Sequence, residues 1–110
     1  RKESLLKKAR SGKIHIDLAV DESSNQKVGY IVSSVNEEKA GEIESVVVAL
    51  AYRGNGVGDT LMRNALAWMD ANGAVEKKVE VSVGNEKAFP FYGKYGFCPR
   101  KTVLEQVKEK

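Results

Sequence analysis

Cysteine, histidine, proline and tryptophan are scarce in this chain of 110 residues: there are one Cys, one His, two Pro and one Trp. One cysteine, Cys98, excludes an intrachain disulfide and a cysteine-rich zinc site. With His15 as the only histidine, no metal site is expected. Long hydrophobic runs are missing too. The longest, Val46 to Tyr52, falls far short of the about 20 residues a membrane-spanning helix needs. No apolar stretch of the secretory kind follows the basic start, so the expected setting is cytoplasmic, with no membrane partner. RNA-binding aromatic motifs and zinc-finger spacings are absent, which argues against a nucleic-acid partner.

What is present is ordinary for one small globular domain: 42% hydrophobic and 30% charged residues, with a net charge of +3. The charge is uneven. Arg1, Lys2, Lys7, Lys8, Arg10 and Lys13 face a single acidic neighbour, Glu3, and the rest of the chain is net acidic. A solvated helix face accounts for this basic end; an anionic ligand is the functional alternative.

Leu5, Leu6 and Ala9 predict a short helix over residues 3–11, stopped by Gly12. Ile14, Ile16, Leu18 and Val20 then alternate with His15, Asp17 and Ala19, the period of a half-buried strand. On that pattern His15 sits on a polar, surface side. A turn over 21–27 leads to a second strand over 28–35, giving an antiparallel hairpin. A third strand is expected over 42–51. Its unbroken apolar run from Val46 predicts a central strand covered on both faces. Val57, Leu61, Ala65 and Met69 recur every four residues and predict a helix ending at Asn72-Gly73. Another strand is expected over 75–83. Asn85 is then a candidate N-cap for a helix through Tyr95, with Pro90 predicting a kink or a late start. A last strand is expected over 102–107. The class is α+β with a mixed sheet.

Gly54, Gly56 and Gly58 lie between the apolar strand and the long helix. Glycines let the backbone turn sharply and come close to a ligand. The first amides of the helix are unpaired and carry the positive end of its dipole, so a phosphate or pyrophosphate is the natural guest. Arg53 adds a fixed positive charge. A phosphate-binding loop of the Lys-Ser/Thr type is excluded, because Asp59-Thr60 follows Gly58. A dinucleotide fingerprint is excluded as well: the position three after Gly56 is Asp59, and three after Gly58 is Leu61.

Arg53, Gly56 and Gly58 do satisfy the Gln/Arg-x-x-Gly-x-Gly/Ala signature of the acetyl-coenzyme A loop in the GNAT superfamily of N-acetyltransferases. A second motif agrees: Asn85, Ala88, Phe91-Tyr92 and Gly96-Phe97 are similar to that family's Asn-x-x-Ala, apolar-Tyr and Gly-Phe series. The resemblance spans about residues 14–107. It implies a mixed, mostly antiparallel sheet flanked by helices. Residues 1–110 are then a single acetyltransferase domain. The chain lacks an initiator Met and starts late in the family pattern, which implies that the first strand and helix of the family are missing.

The resemblance also implies the chemistry. The cosubstrate is acetyl-coenzyme A, with no metal, and the acceptor is a primary amine, either a small molecule or a protein amine. Backbone groups of Val46, Val47 and Val48 would bind the acetyl and pantetheine part. The amides of Gly54, Asn55, Gly56, Val57, Gly58 and Asp59, with Arg53, would hold the pyrophosphate, and Asn85 would contact the coenzyme arm. Tyr92 matches the tyrosine that protonates the departing thiolate; Tyr95 does not. The base stays open among Glu44, which shares a strand face with Val46, Glu80 on the next strand, and Glu42. Cys98 is expected in the core rather than as a nucleophile, so transfer is direct. A non-catalytic acyl-coenzyme A-binding regulatory module is the alternative, and a homodimer stays open.

Overall fold

A computed structural model describes residues 12–108. The helix predicted over 3–11 lies outside them. The chain divides into two units, Arg1–Glu80 and Val81–Lys110.

The first unit is a four-stranded sheet in the order β1-β2-β3-β4, made of Gly12–Asp21, Gln26–Asn36, Ala40–Val48 and Glu76–Val79. The first three strands are antiparallel, and β4 runs parallel to β3, so the sheet is mixed as expected. The register between β2 and β3 breaks after Val32↔Ser45. Ser33 then faces Ile43, which leaves Glu44 as the extra residue of a bulge.

Helix α1, Val57–Ala71, lies on this sheet through the buried side chains Leu61, Met62, Ala65 and Met69. These fall on one face because they recur at helical spacing. The strands in turn bury Ile31, Val35 and Ile43. Close approach depends on Gly29: a Cβ there would stand 2.8 Å from the Val47 carbonyl oxygen and 3.5 Å from Leu61. Asn72 ends the helix, with its side chain donating to the Trp68 carbonyl at 2.8 Å.

Four expectations for this unit change. In β1 the apolar positions Ile16 (58%), Leu18 (56%) and Val20 (44%) are exposed, while His15, Asp17 and Ala19 are half-buried. Register pairs His15, Asp17 and Ala19 with Ser33, Ile31 and Gly29, on the side that α1 covers. His15 therefore lies on the helix-covered side, half-buried rather than on the open face. Its ring stacks on Trp68 at 4.9 Å, and its Nε2 lies 3.0 Å from Asp17 Oδ1. A flat indole and a carboxylate supply what an alkyl contact would have supplied. Second, β3 ends at Val48 and is not covered on both faces, since Val47 is 43% exposed. Third, residues 49–52 leave the strand and turn. Fourth, β4 is four residues long, not nine, with Val75 and Val83 exposed. Its ladder on β3 stops at Ile43, immediately before the bulge at Glu44.

In the second unit a 3-10 turn over Glu86–Ala88 leads into a short helix α2, Phe89–Gly93. The late start expected from Pro90 is present: the proline sits in the first turn, where its missing N–H costs nothing. Asn85 occupies the cap position but makes no side-chain cap hydrogen bond. The strand expected over 102–107 does not form. Val103, Leu104 and Val107 are exposed there, and no described strand pairs with them. A strand exists only through its ladder. Cys98 is exposed rather than in the core.

Candidate functional site

The first unit's candidate site runs from β3 through the glycine loop into α1. Val46, Val47 and Val48 close β3, opposite Ile31, Tyr30 and Gly29 of β2. A 3-10 turn over Leu50–Tyr52 then reverses the chain. Gly54 and Gly56 follow with φ of +83° and +82°, a backbone conformation that side chains rarely adopt. A Cβ on either glycine would meet no atom within 4 Å. Conformation, not crowding, therefore calls for glycine, and the loop backbone is open to close approach.

Gly56 is the N-cap of α1 and supplies no side-chain cap. The amides of Val57, Gly58 and Asp59 open the helix, where no carbonyl one turn earlier can accept from them within it. The dipole of a 15-residue helix stands behind them. The Asp59 carboxylate is drawn to Arg63, whose Nε donates to it at 2.8 Å, which offsets the negative charge in the first turn. Arg53 folds back on the strand, its Nε donating to the Val48 carbonyl at 3.1 Å.

The candidate carboxylates differ in setting. Glu44, on the bulge, is half-buried and accepts from Ser34 Oγ at 2.8 Å; Ser34 is buried. Glu42 is half-buried opposite Ser34. Glu80 has a side chain 75% exposed, with Lys78 Nζ at 3.6 Å.

Asn85 and Tyr92 belong to the second unit. Asn85 is exposed, and its carbonyl accepts from the Ala88 amide at 3.1 Å. Tyr92 is half-buried in an aromatic cluster: its ring meets Phe91 edge-on at 5.2 Å and Phe97 at 6.3 Å. Phe91 in turn meets Tyr95 at 5.6 Å. Burial pushes the Tyr92 phenol above its ordinary range, so the hydroxyl keeps its proton at neutral pH.

Three features are not legible in the sequence motifs. The Tyr52 hydroxyl donates to Asp21 Oδ2 at 2.6 Å. Ser34 holds Glu44. A cleft of about 290 Å³ opens between β1 and the start of α1, lined among others by Asp17, Ala19, Asn55, Thr60 and Asn64. The Asp-x-Ser pattern at residues 21–23 signals a side chain turned onto its own backbone, but nothing local signals Tyr52. Among the described residues no group of three His, Cys, Asp or Glu side chains is placed to hold a metal ion. No described helix is long and apolar enough to cross a membrane.

Comparison with known proteins agrees with this arrangement. An N-alpha-acetyltransferase MAK3 of Arabidopsis thaliana is 34% identical over 77 residues, covering 67% of this chain and 40% of that protein. The chain spans less than half the length of the curated relatives it matches. Among solved structures, an acetyltransferase of Trypanosoma brucei superposes with a TM-score of 0.72 at 24% identity, covering 97% of this chain and 77% of that one. The aminoglycoside N-acetyltransferase AAC(6')-Iy in complex with CoA gives 0.78 at 16% identity, covering 99% and 88%. These two show the fold. The sequence model of the acetyltransferase (GNAT) family matches residues 3–97, a span that takes in β3, the glycine loop, α1 and the Asn85-to-Phe97 motif together, and the chain belongs to that family.

Proposed function

We propose that this chain carries the catalytic domain, over residues 1–110, of a cytoplasmic N-acetyltransferase that moves an acetyl group from acetyl-coenzyme A to a primary amine by direct attack. The observation that carries the reading is the loop: two left-handed glycines feeding an uncapped helix start directly after β3. The family supplies the chemistry of the cosubstrate, an activated thioester whose carbonyl an amine can attack.

This chain's residues fit that group. A pyrophosphate needs close backbone approach, open amides and positive charge. The loop offers Gly54 and Gly56 with open space at Cβ, the amides through Asp59, and the guanidinium of Arg53. Val46, Val47 and Val48 would bind the acyl arm through main-chain groups, so their side chains can stay apolar. On the family motif, Asn85 would contact the coenzyme arm. Tyr92 would keep a proton on its Oη for the departing sulfur. Glu44 is the preferred acceptor for the amine proton, through a water, because Ser34 fixes its carboxylate, whereas the Glu80 side chain is mostly solvent-exposed. Carboxylates near the strand favour a cationic acceptor, a small-molecule or a protein amine. Two of the three proteins named above are named as N-acetyltransferases.

Calorimetry with coenzyme A tests the reading. The unaltered chain should bind, and Gly56→Asp should lose affinity by several kcal/mol, because it puts a side chain and a negative charge on the anion position. Unchanged affinity in a folded Gly56→Asp variant would rule out this site. Binding without turnover against a broad amine panel would make the chain a non-catalytic acyl-coenzyme A-binding module.

A further inference from the structure

Between β3 and the glycine loop the chain buries no residue fully. The 3-10 turn Leu50–Tyr52 buries no residue, and Leu50 is 77% exposed. Three hydrogen bonds hold this stretch to the strands. The Ala49 amide donates to the Val28 carbonyl of β2 at 2.8 Å, and Arg53 Nε donates to the Val48 carbonyl at the end of β3 at 3.1 Å. The Tyr52 hydroxyl reaches farther, across 31 residues of chain, to Asp21 at the end of β1 at 2.6 Å.

Asp21 is itself fixed. Its Oδ1 accepts from the Ser23 amide at 3.0 Å and from Ser23 Oγ at 2.7 Å. Its carbonyl accepts from the Asn25 amide, and Asn25 closes the turn with φ of 58°. The carboxylate thus has one oxygen locked in its own turn and the other on the phenol. We propose that Asp21 and Tyr52 form a strut that positions the glycine loop for coenzyme A, and that they act as a positioning pair without touching the coenzyme themselves. This rests on the reading of the loop given above. The bond leaves its mark on both partners. It is the largest cause holding the Asp21 carboxyl below its usual range, and the largest pushing the Tyr52 phenol up.

The physical need is plain. Gly54 and Gly56 have more backbone freedom to lose than any other residue type, so a loop tethered at one end alone samples many conformations. A strut two residues before Gly54 narrows that ensemble before the ligand arrives, and preorganisation shows as affinity rather than as rate.

Calorimetry with coenzyme A on the unaltered chain, Tyr52→Phe, Asp21→Ala, Asp21→Asn and the double variant Tyr52→Phe/Asp21→Ala decides it. Tyr52→Phe and Asp21→Ala should each raise Kd about tenfold, and the double variant no further than either. Asp21→Asn keeps an acceptor for the phenol and should recover part of the loss. Amide exchange at residues 54–56 should quicken in the free variants; the melting temperature of Tyr52→Phe should stay near that of the unaltered chain, whereas Asp21→Ala also loses the Ser23 bonds and should melt lower. With an acceptor amine in hand, the KM for acetyl-coenzyme A should rise in parallel and kcat should stay within about twofold. Unaltered affinity in Tyr52→Phe, or additive losses in the double variant, overturns the strut and leaves the loop reading standing. If Tyr52→Phe does not fold, Asp21→Ala and Asp21→Asn carry the test: a loss in the first with partial recovery in the second supports the strut, and unaltered affinity in Asp21→Ala overturns it. No binding by the unaltered chain overturns both.

Discussion

At the scale of single residues, the proposed chemistry separates into groups that a conservative change can silence. Tyr92 has a phenol held above its ordinary range by burial. A raised pKa in the folded chain favours the protonated form, so any stability it lends is present below the ordinary tyrosine pKa and lost as pH rises through the folded value. Ultraviolet titration should find two tyrosines, Tyr52 and Tyr92, ionising late, and Tyr92→Phe should remove one of them while leaving the other. The same change keeps the ring contacts with Phe91 and Phe97, so coenzyme binding should hold while turnover falls about 10²-fold. Tyr95→Phe is the control and should be near neutral. Equal, small effects would count against Tyr92 as the acid. The base is read in the same way. Glu44→Gln should lower kcat/KM by about 10²-fold and remove the acidic limb of its pH profile, whereas Glu80→Gln should change little. A drop of less than about threefold in Glu44→Gln would hand the proton to solvent.

At the scale of elements, the sheet and α1 rest on a close approach that Gly29 permits. Gly29→Ala would push a methyl group to within 2.8 Å of the Val47 carbonyl oxygen, which is backbone and cannot swing aside. The strand must shift, and the expected cost is about 1–3 kcal/mol of stability, read as a lower urea midpoint. An unchanged midpoint would mean that β2 and β3 separate freely there. The same elements show what the sequence disclosed. The hairpin, α1 and the loop were legible because each has a local signal: alternation, a helical apolar period, clustered glycines. The facing of β1 was not, because alternation defines two faces without naming which one the helix covers, and here it covers His15 and Asp17 by stacking Trp68. The end of β4 was not legible either, because it is set by a bulge at Glu44 on a neighbouring strand. In the candidate site the motif residues were legible one by one. The Tyr52–Asp21 and Ser34–Glu44 bonds were not, since each joins residues from different elements.

At the scale of the molecule, order should be graded by what each segment is bonded to. In the first unit β2 is paired on both sides, to β1 and to β3, and Ile31 to Val35 are buried without a break. Opening amides there requires breaking two ladders and uncovering the face under α1. Residues 102–107 stand at the other extreme: exposed at every position, with no described strand beside them, although their composition predicts a strand. An apolar pattern without a ladder leaves the amides to water, and water exchanges them quickly. Hydrogen exchange followed by mass spectrometry should therefore find the slowest peptides in β2 and α1. Peptides over 102–107 should exchange at rates close to those of an unstructured chain. Protection over 102–107 comparable to that of β2 would show a pairing partner for this segment and restore the last strand that the sequence predicts. Coenzyme A makes the comparison sharper. On the proposed reading it should slow exchange in peptides over 54–59, where the open amides lie, and leave β2 as it was. Slowing at β2 without slowing at 54–59 would place the ligand elsewhere and remove the ground for assigning the loop as its site.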